Sequence, residues 1–106
     1  MKTNKVVTFG EIMVRLGAPD YLKLIQSNSL DVSYAGAEAN VAVSLAHYGI
    51  STGYVTCLPE NPIAERCVME LRGHRVGVDH IQRSGKRMGI LYLETGSNMR
   101  PSKVFY

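Results

Sequence analysis

The six residues Ala35-Gly36-Ala37-Glu38-Ala39-Asn40 set tiny side chains around one carboxylate and one amide. They fall where an alternating, strand-like run, Asp31-Val32-Ser33-Tyr34, gives way to helical spacing. At such a junction the first backbone N–H groups of the helix are unpaired, and small side chains let a polar ligand come close. The chemistry this suits is hydrogen bonding to hydroxyls or to an oxyanion, with Glu38 and Asn40 in the first turn within reach of a polyhydroxylated ligand. The same residues also suit tight packing and a carboxylate near the helix dipole. Residue types alone leave both uses open.

Other chemistries find no support. Neither GxGxxG nor GxxxxGK[ST] occurs, which removes the dinucleotide and Walker-type phosphate fingerprints, and there is no GxSxG elbow. His47, His74 and His80 lack HExxH spacing, and His47, near a helix end, is expected to face solvent or the helix dipole, so no metal site is assigned. Cys57 and Cys67 lie in apolar surroundings without CxxC spacing, and both are expected to be reduced core cysteines. Arg66, Arg72, Arg75, Arg83, Lys86 and Arg87 make the middle of the chain basic, which would help steer an anion; Arg66 and Arg72 are expected on a helix's wet face. The net charge of +3 is spread along the chain, so no nucleic-acid partner is expected. No window approaches the roughly 18 apolar residues of a membrane span, and no cleavage site follows the opening residues, so the expectation is a cytoplasmic protein without a membrane partner.

The elements that position the junction follow from periodicity. Val6-Val7-Thr8-Phe9, closed by Gly10, predicts a central parallel strand covered on both faces. Met13–Leu16 and Asp31–Tyr34 predict half-exposed strands. From Glu38 the period is helical, with Val41, Leu45 and Tyr48 as the expected stripe, widened by Ala42 and Ala46, and Gly49 as the stop, giving a helix over about 38 to 48. Gly53–Leu58 predicts another strand. Asn61 and Pro62 then supply an N-cap and first helical residue for a helix to about Arg72, with Ile63 or Ala64, Cys67 or Val68, and Leu71 inward and Gly73 available to end it. Met88–Glu94 and Lys103–Tyr106 predict a hairpin with a long loop. Alternating strands and helices indicate an α/β fold with parallel strands and crossover helices, beside a small separate sheet.

Thr8-Phe9-Gly10-Glu11-Ile12-Met13 and Ala35 through Ala46, followed by Val55–Pro62, Arg87-Met88-Gly89 and Arg100–Tyr106, resemble the amino-terminal part of 2-keto-3-deoxygluconate kinases. These are members of the ribokinase-like, or pfkB, carbohydrate kinases. The AGAEAN segment is shared across the ribokinase-like enzymes, whereas the FGEIM opening and the RPSKV ending point to the ketodeoxygluconate branch.

The resemblance implies a ribokinase-like parallel sheet with crossover helices and a small β lid, here truncated, with lid strands over about 12–16, 31–35, 87–94 and 102–106 of a single domain, 1–106. It implies transfer of the γ-phosphoryl of ATP, with Mg, to the terminal hydroxyl of a sugar acid. It places Gly36 and Ala37 in the loop that meets the sugar, Asn40 at the helix start beside it, and Leu91 and Tyr106 at lid positions facing the substrate. Leu91 stands where the family usually has Tyr; strand alternation puts Tyr92 on the opposite face, so it is not expected to substitute. Ala35 and Arg75 stand where glycines are usual. The family's late anion hole with its catalytic Asp and its nucleotide-binding segment have no counterpart in this chain, so no catalytic residue is assigned, and neither ATP nor phosphoryl transfer is expected of residues 1–106 alone. A fructose or ribose kinase, or a non-catalytic module that self-associates through the lid, are the alternatives, and a homodimer through the lid sheet is the expected assembly.

Overall fold

The computed structural model describes residues 6–96 and 103–106. In chain order its elements are β1 (Val6–Phe9), β2 (Met13–Gly17), a 3-10 turn (Leu24–Gln26), β3 (Asp31–Ala35), α1 (Ala37–His47), β4 (Thr52–Val55), β5 (Cys57–Leu58), α2 (Pro62–Gly73), β6 (Gln82–Arg83), β7 (Ile90–Glu94) and β8 (Lys103–Phe105). They group into two compact units, Met1–Ile12 with Ala35–Met88, and Met13–Tyr34 with Gly89–Tyr106. The Arg100-Pro101-Ser102 part of the family-like ending lies outside the described residues. The fold is α/β, with parallel strand pairs joined through helices in the first unit and a small sheet forming the second.

In the first unit β1 runs parallel to β4, from Val6 opposite Thr52 to Phe9 opposite Val55. β5 pairs in parallel with β6 after α2, and an isolated parallel bridge from Gly53 to Gly77 sets the chain leaving α2 along β4. β4 is buried at Thr52, Gly53 and Tyr54. β1 was expected to be covered on both faces, yet among the described residues it pairs with β4 alone, and Val7 is 56% and Phe9 75% exposed. Its side chains therefore alternate between half-covered and bare, because α1 packs on this strand while no described element takes its other face.

α1 has the predicted period, but only the Ala42 and Ala46 edge of the expected stripe is buried, extended by Ala39. Ala39, Ala42 and Ala46 are buried, while Val41 and Tyr48 are exposed. Methyl side chains let the helix axis approach the strands closely, and Thr52 Oγ1 donates to the Ala42 carbonyl oxygen at 3.2 Å. The larger residues of the expected stripe flank this contact instead of making it. The helix ends at His47, and Gly49 just beyond, with a φ of +83°, is the left-handed stop its sequence position predicted.

α2 begins as its sequence dictates: Asn61 Oδ1 accepts from the Ala64 N–H at 2.8 Å, with Pro62 at the first helical position. Ala64, Cys67, Val68 and Leu71 form its inner face. Gly73 does not make the closing turn. Arg75 does, at φ +65°. Arg83 on β6 ties the unit together, donating to the Pro59 carbonyl oxygen at 2.9 Å and pairing with Glu65 of α2 at 2.5 Å.

The second unit is a four-stranded sheet in the order β3-β2-β7-β8. β2 and β7 are parallel, Val14 opposite Ile90, and β7 and β8 antiparallel, Tyr92 opposite Phe105. Arg15 Nε donates to Ser33 Oγ at 2.8 Å, and the buried Glu94 carboxylate accepts from the Leu24 N–H at 2.7 Å, fixing the 3-10 turn to β7.

Candidate functional site

The strand-to-helix junction is built from the first unit's own parts. Gly36 precedes α1 with extended backbone, φ −172°, a conformation open to any residue, so its smallness serves a close approach. A Cβ there would lie 2.7 Å from the Glu11 carbonyl oxygen and 3.3 Å from Ile12 Cα. Gly36 makes no side-chain cap, and the first helical bond runs from the Asn40 N–H to the Gly36 carbonyl oxygen at 2.9 Å. Ala37 and Asn40 are exposed. The result is an uncapped, positively polarised helix start flanked by an exposed amide, able to hold hydroxyl or carboxylate oxygens.

Neighbouring groups hold this junction in place. Thr8 Oγ1 on β1 donates to the Glu38 carbonyl oxygen at 2.9 Å. The Glu38 side chain lies over Gly10, where a Cβ would fall on its Oε1. The Tyr54 hydroxyl donates to the Gly10 carbonyl oxygen at 2.7 Å, pinning the end of β1. Tyr54 is fully buried, and burial, reinforced by the nearby Glu38 and Glu11 carboxylates, pushes its phenol up to about 12, so it stays a donor. Sequence reasoning treated Tyr54 only as a strand residue. The available signal was that a tyrosine in a buried strand needs a partner for its hydroxyl.

Gly36, Ala37 and Asn40 thus come together at one helix start. Leu91 and Tyr106 belong to the second unit. Leu91 is buried, 6% exposed, the second residue of β7 and opposite Arg15, while Tyr106 is 87% exposed after β8. Tyr92, on the face opposite Leu91, lines a hollow with Leu24, Ser27, Asn28, Ser29 and Leu30.

One further expectation changes. Cys67 is buried and its thiol pushed up to about 12 by desolvation, but Cys57 is exposed, with Sγ 3.8 Å from the Ser84 carbonyl oxygen. β5 is a two-residue strand, and its alternation turns Leu58 inward and Cys57 out. His47 is exposed at the carboxyl end of α1, as expected, and there its Nε2 also lies 3.1 Å from His74 Nδ1. Their separation of 27 positions hid this pairing from spacing rules.

A family model described as pfkB family carbohydrate kinase matches residues 3–106. The chain belongs to the pfkB family of carbohydrate kinases. This pfkB chain is 40% identical over 106 residues to a 2-dehydro-3-deoxygalactonokinase of Haloferax volcanii, covering 98% of the chain and 33% of that relative. Among solved structures it is similar to a 2-dehydro-3-deoxygluconokinase from Thermotoga maritima, with 51% identity and a TM-score of 0.94 over 98% of this chain and 32% of that one. A structure from Enterococcus faecalis described as a 2-keto-3-deoxygluconate kinase is 32% identical, with a TM-score of 0.91 over 98% of this chain and 31% of that one. The pfkB chain therefore spans about a third of the length of the relatives it matches.

Proposed function

We propose that this chain supplies the sugar-recognition part of a kinase acting on a 2-keto-3-deoxy sugar acid, with ATP as phosphoryl donor and Mg as its metal. The observation that carries the reading is the open start of α1, where Gly36 nests against the Glu11 and Ile12 backbone and leaves Ala37 and Asn40 exposed beside unpaired N–H groups. Hydroxyl and carboxylate oxygens are the ligands such a site favours, and the likeness to the sugar-acid kinases named above supports this substrate class. In this reading the helix start and the Asn40 amide orient the sugar acid, while the roles of Leu91, buried in β7, and Tyr106 as lid positions rest on the family resemblance alone.

In this reading no residue of this chain is assigned to the nucleotide or the metal. The sequence has no glycine-rich phosphate loop of the Walker type, and no group of three or more His, Cys, Asp or Glu that could hold a metal occurs among the described residues. Phosphoryl transfer needs the γ-phosphate, its metal and a base positioned around the attacking hydroxyl, and no such step is assigned to residues 1–106. ATP-dependent phosphorylation by the product of the whole encoding gene tests the substrate class, with 2-keto-3-deoxygluconate, its galacto epimer, fructose and ribose as substrates. Preference for either sugar acid is expected; preference for fructose or ribose overturns the assignment. The 106-residue chain alone is expected to show no turnover with any of them.

Assembly through the four-stranded sheet belongs to the same proposal. β3 and β8 end that sheet, and strands at sheet edges offer unpaired backbone groups to a second copy. Light scattering checks it: a strictly monomeric full-length protein would count against lid pairing.

A further inference from the structure

The pairing of His47 with His74 plays no part in the sugar-binding reading. His47 is the last residue of α1 and His74 the C-cap of α2, so two helix carboxyl ends converge on one exposed spot. The ring centroids are 5.2 Å apart, tilted by 38°, and His47 Nε2 and His74 Nδ1 face each other at 3.1 Å. With the ion absent, one ring donates to the other. We propose that the two rings also form a chelating site for a divalent transition-metal ion of the class that favours imidazole, such as zinc, nickel or copper.

Three observations support the site. Two metal–nitrogen bonds of ~2.05 Å whose nitrogens stand 3.1 Å apart would enclose about 98° at the ion, between square and tetrahedral geometry. Both helix macrodipoles present their negative ends there, which favours a cation. The rings border a surface hollow with Arg75 and with Ala46, Gly49 and Gly73, three small residues that leave room for water to complete the coordination. Arg75 is the opposing influence, a positive charge lining the same hollow. Binding needs a lone pair on both facing nitrogens, so the ring that donates in the free pair carries its proton on its other nitrogen when the ion is bound; both rings stay neutral imidazoles and a neutral pair releases no net proton.

Calorimetric titration of the 106-residue chain with Ni²⁺ tests the proposal, alongside H47A, H74A and H80A. One ion per chain is expected. Either H47A or H74A should weaken uptake by at least the ~10-fold that loss of a mere outer partner brings, whereas H80A should leave it unchanged. With Cu²⁺, electron paramagnetic resonance should show two equatorial nitrogens in the parent chain and not in H47A or H74A. Both substitutions fall on exposed or half-exposed side chains, and circular dichroism verifies that the helices persist. Uptake that survives H47A, or that falls equally in H80A, or the absence of any saturable binding, overturns the site.

Discussion

At the scale of single residues, the two glycines around the sugar-facing junction are small for different reasons. At Gly36 the atoms in the way are backbone, the Glu11 carbonyl oxygen and Ile12 Cα, and backbone cannot step aside. Gly36→Ala is expected to destabilise by about 1–3 kcal/mol, the usual penalty of overpacking. At Gly10 the obstacle is the end of the Glu38 side chain, which can swing away, so Gly10→Ala should cost less. Urea unfolding compares the two, and equal losses would contradict this account. Arg75 gives the opposite sign: its φ of +65° is one that glycine adopts freely, so Arg75→Gly should stabilise by about 1 kcal/mol. The family resemblance marked Arg75 because it implies a glycine there, and its position just after a helix accounts for the conformation. Ala35, marked in the same way, shows no positive φ, so the added methyl there is accommodated without backbone strain.

At the scale of elements, period was legible throughout, while facing was legible on α2 and only in part on α1. α1 follows helical spacing, but ranking by hydrophobicity selects Val41 and Tyr48 for the core, whereas contact with β1 and β4 selects the alanines that permit close approach. Local caps are different, because they depend on neighbours in sequence: Asn61-Pro62 predicted the start of α2, and Asn61→Ala should lower stability by about 1 kcal/mol. Long-range anchors such as Tyr54 to Gly10 required the fold. The fold keeps both the Tyr54 phenol and the Cys67 thiol protonated, each up to about 12 from ordinary values of 10.0 and 9.0. Below pH 9 both groups are neutral in folded and unfolded chains alike. Above it the unfolded chain loses their protons first, so stability should fall as pH rises from about 9 towards 12. In urea titrations at stepped pH, Tyr54→Phe should flatten the part of that fall above pH 10, and should lose about 1 kcal/mol at neutral pH with the hydrogen bond to Gly10.

At the scale of the whole molecule, the chain's own surface bears on how it behaves in solution. Hydropathy marked β1 as a strand to be covered on both faces; one face is bare, with Val7 and Phe9 in water, and on α1 Val41 and Tyr48 are likewise exposed. Apolar strand faces beside unpaired edges recruit other chains. Residues 1–106 alone should therefore scatter light above the monomer mass as concentration rises, and the double substitution Val7→Ser with Phe9→Ser should reduce that association. Both side chains contribute little to the core, so the variant should keep its circular dichroism spectrum. A chain that stays monomeric at every concentration and unfolds in one cooperative step would show instead that these residues form a self-sufficient domain. The exposed face of β1 would then be a tolerated surface, and the hydropathy of Val6-Val7-Thr8-Phe9 would have overstated how much cover the strand requires.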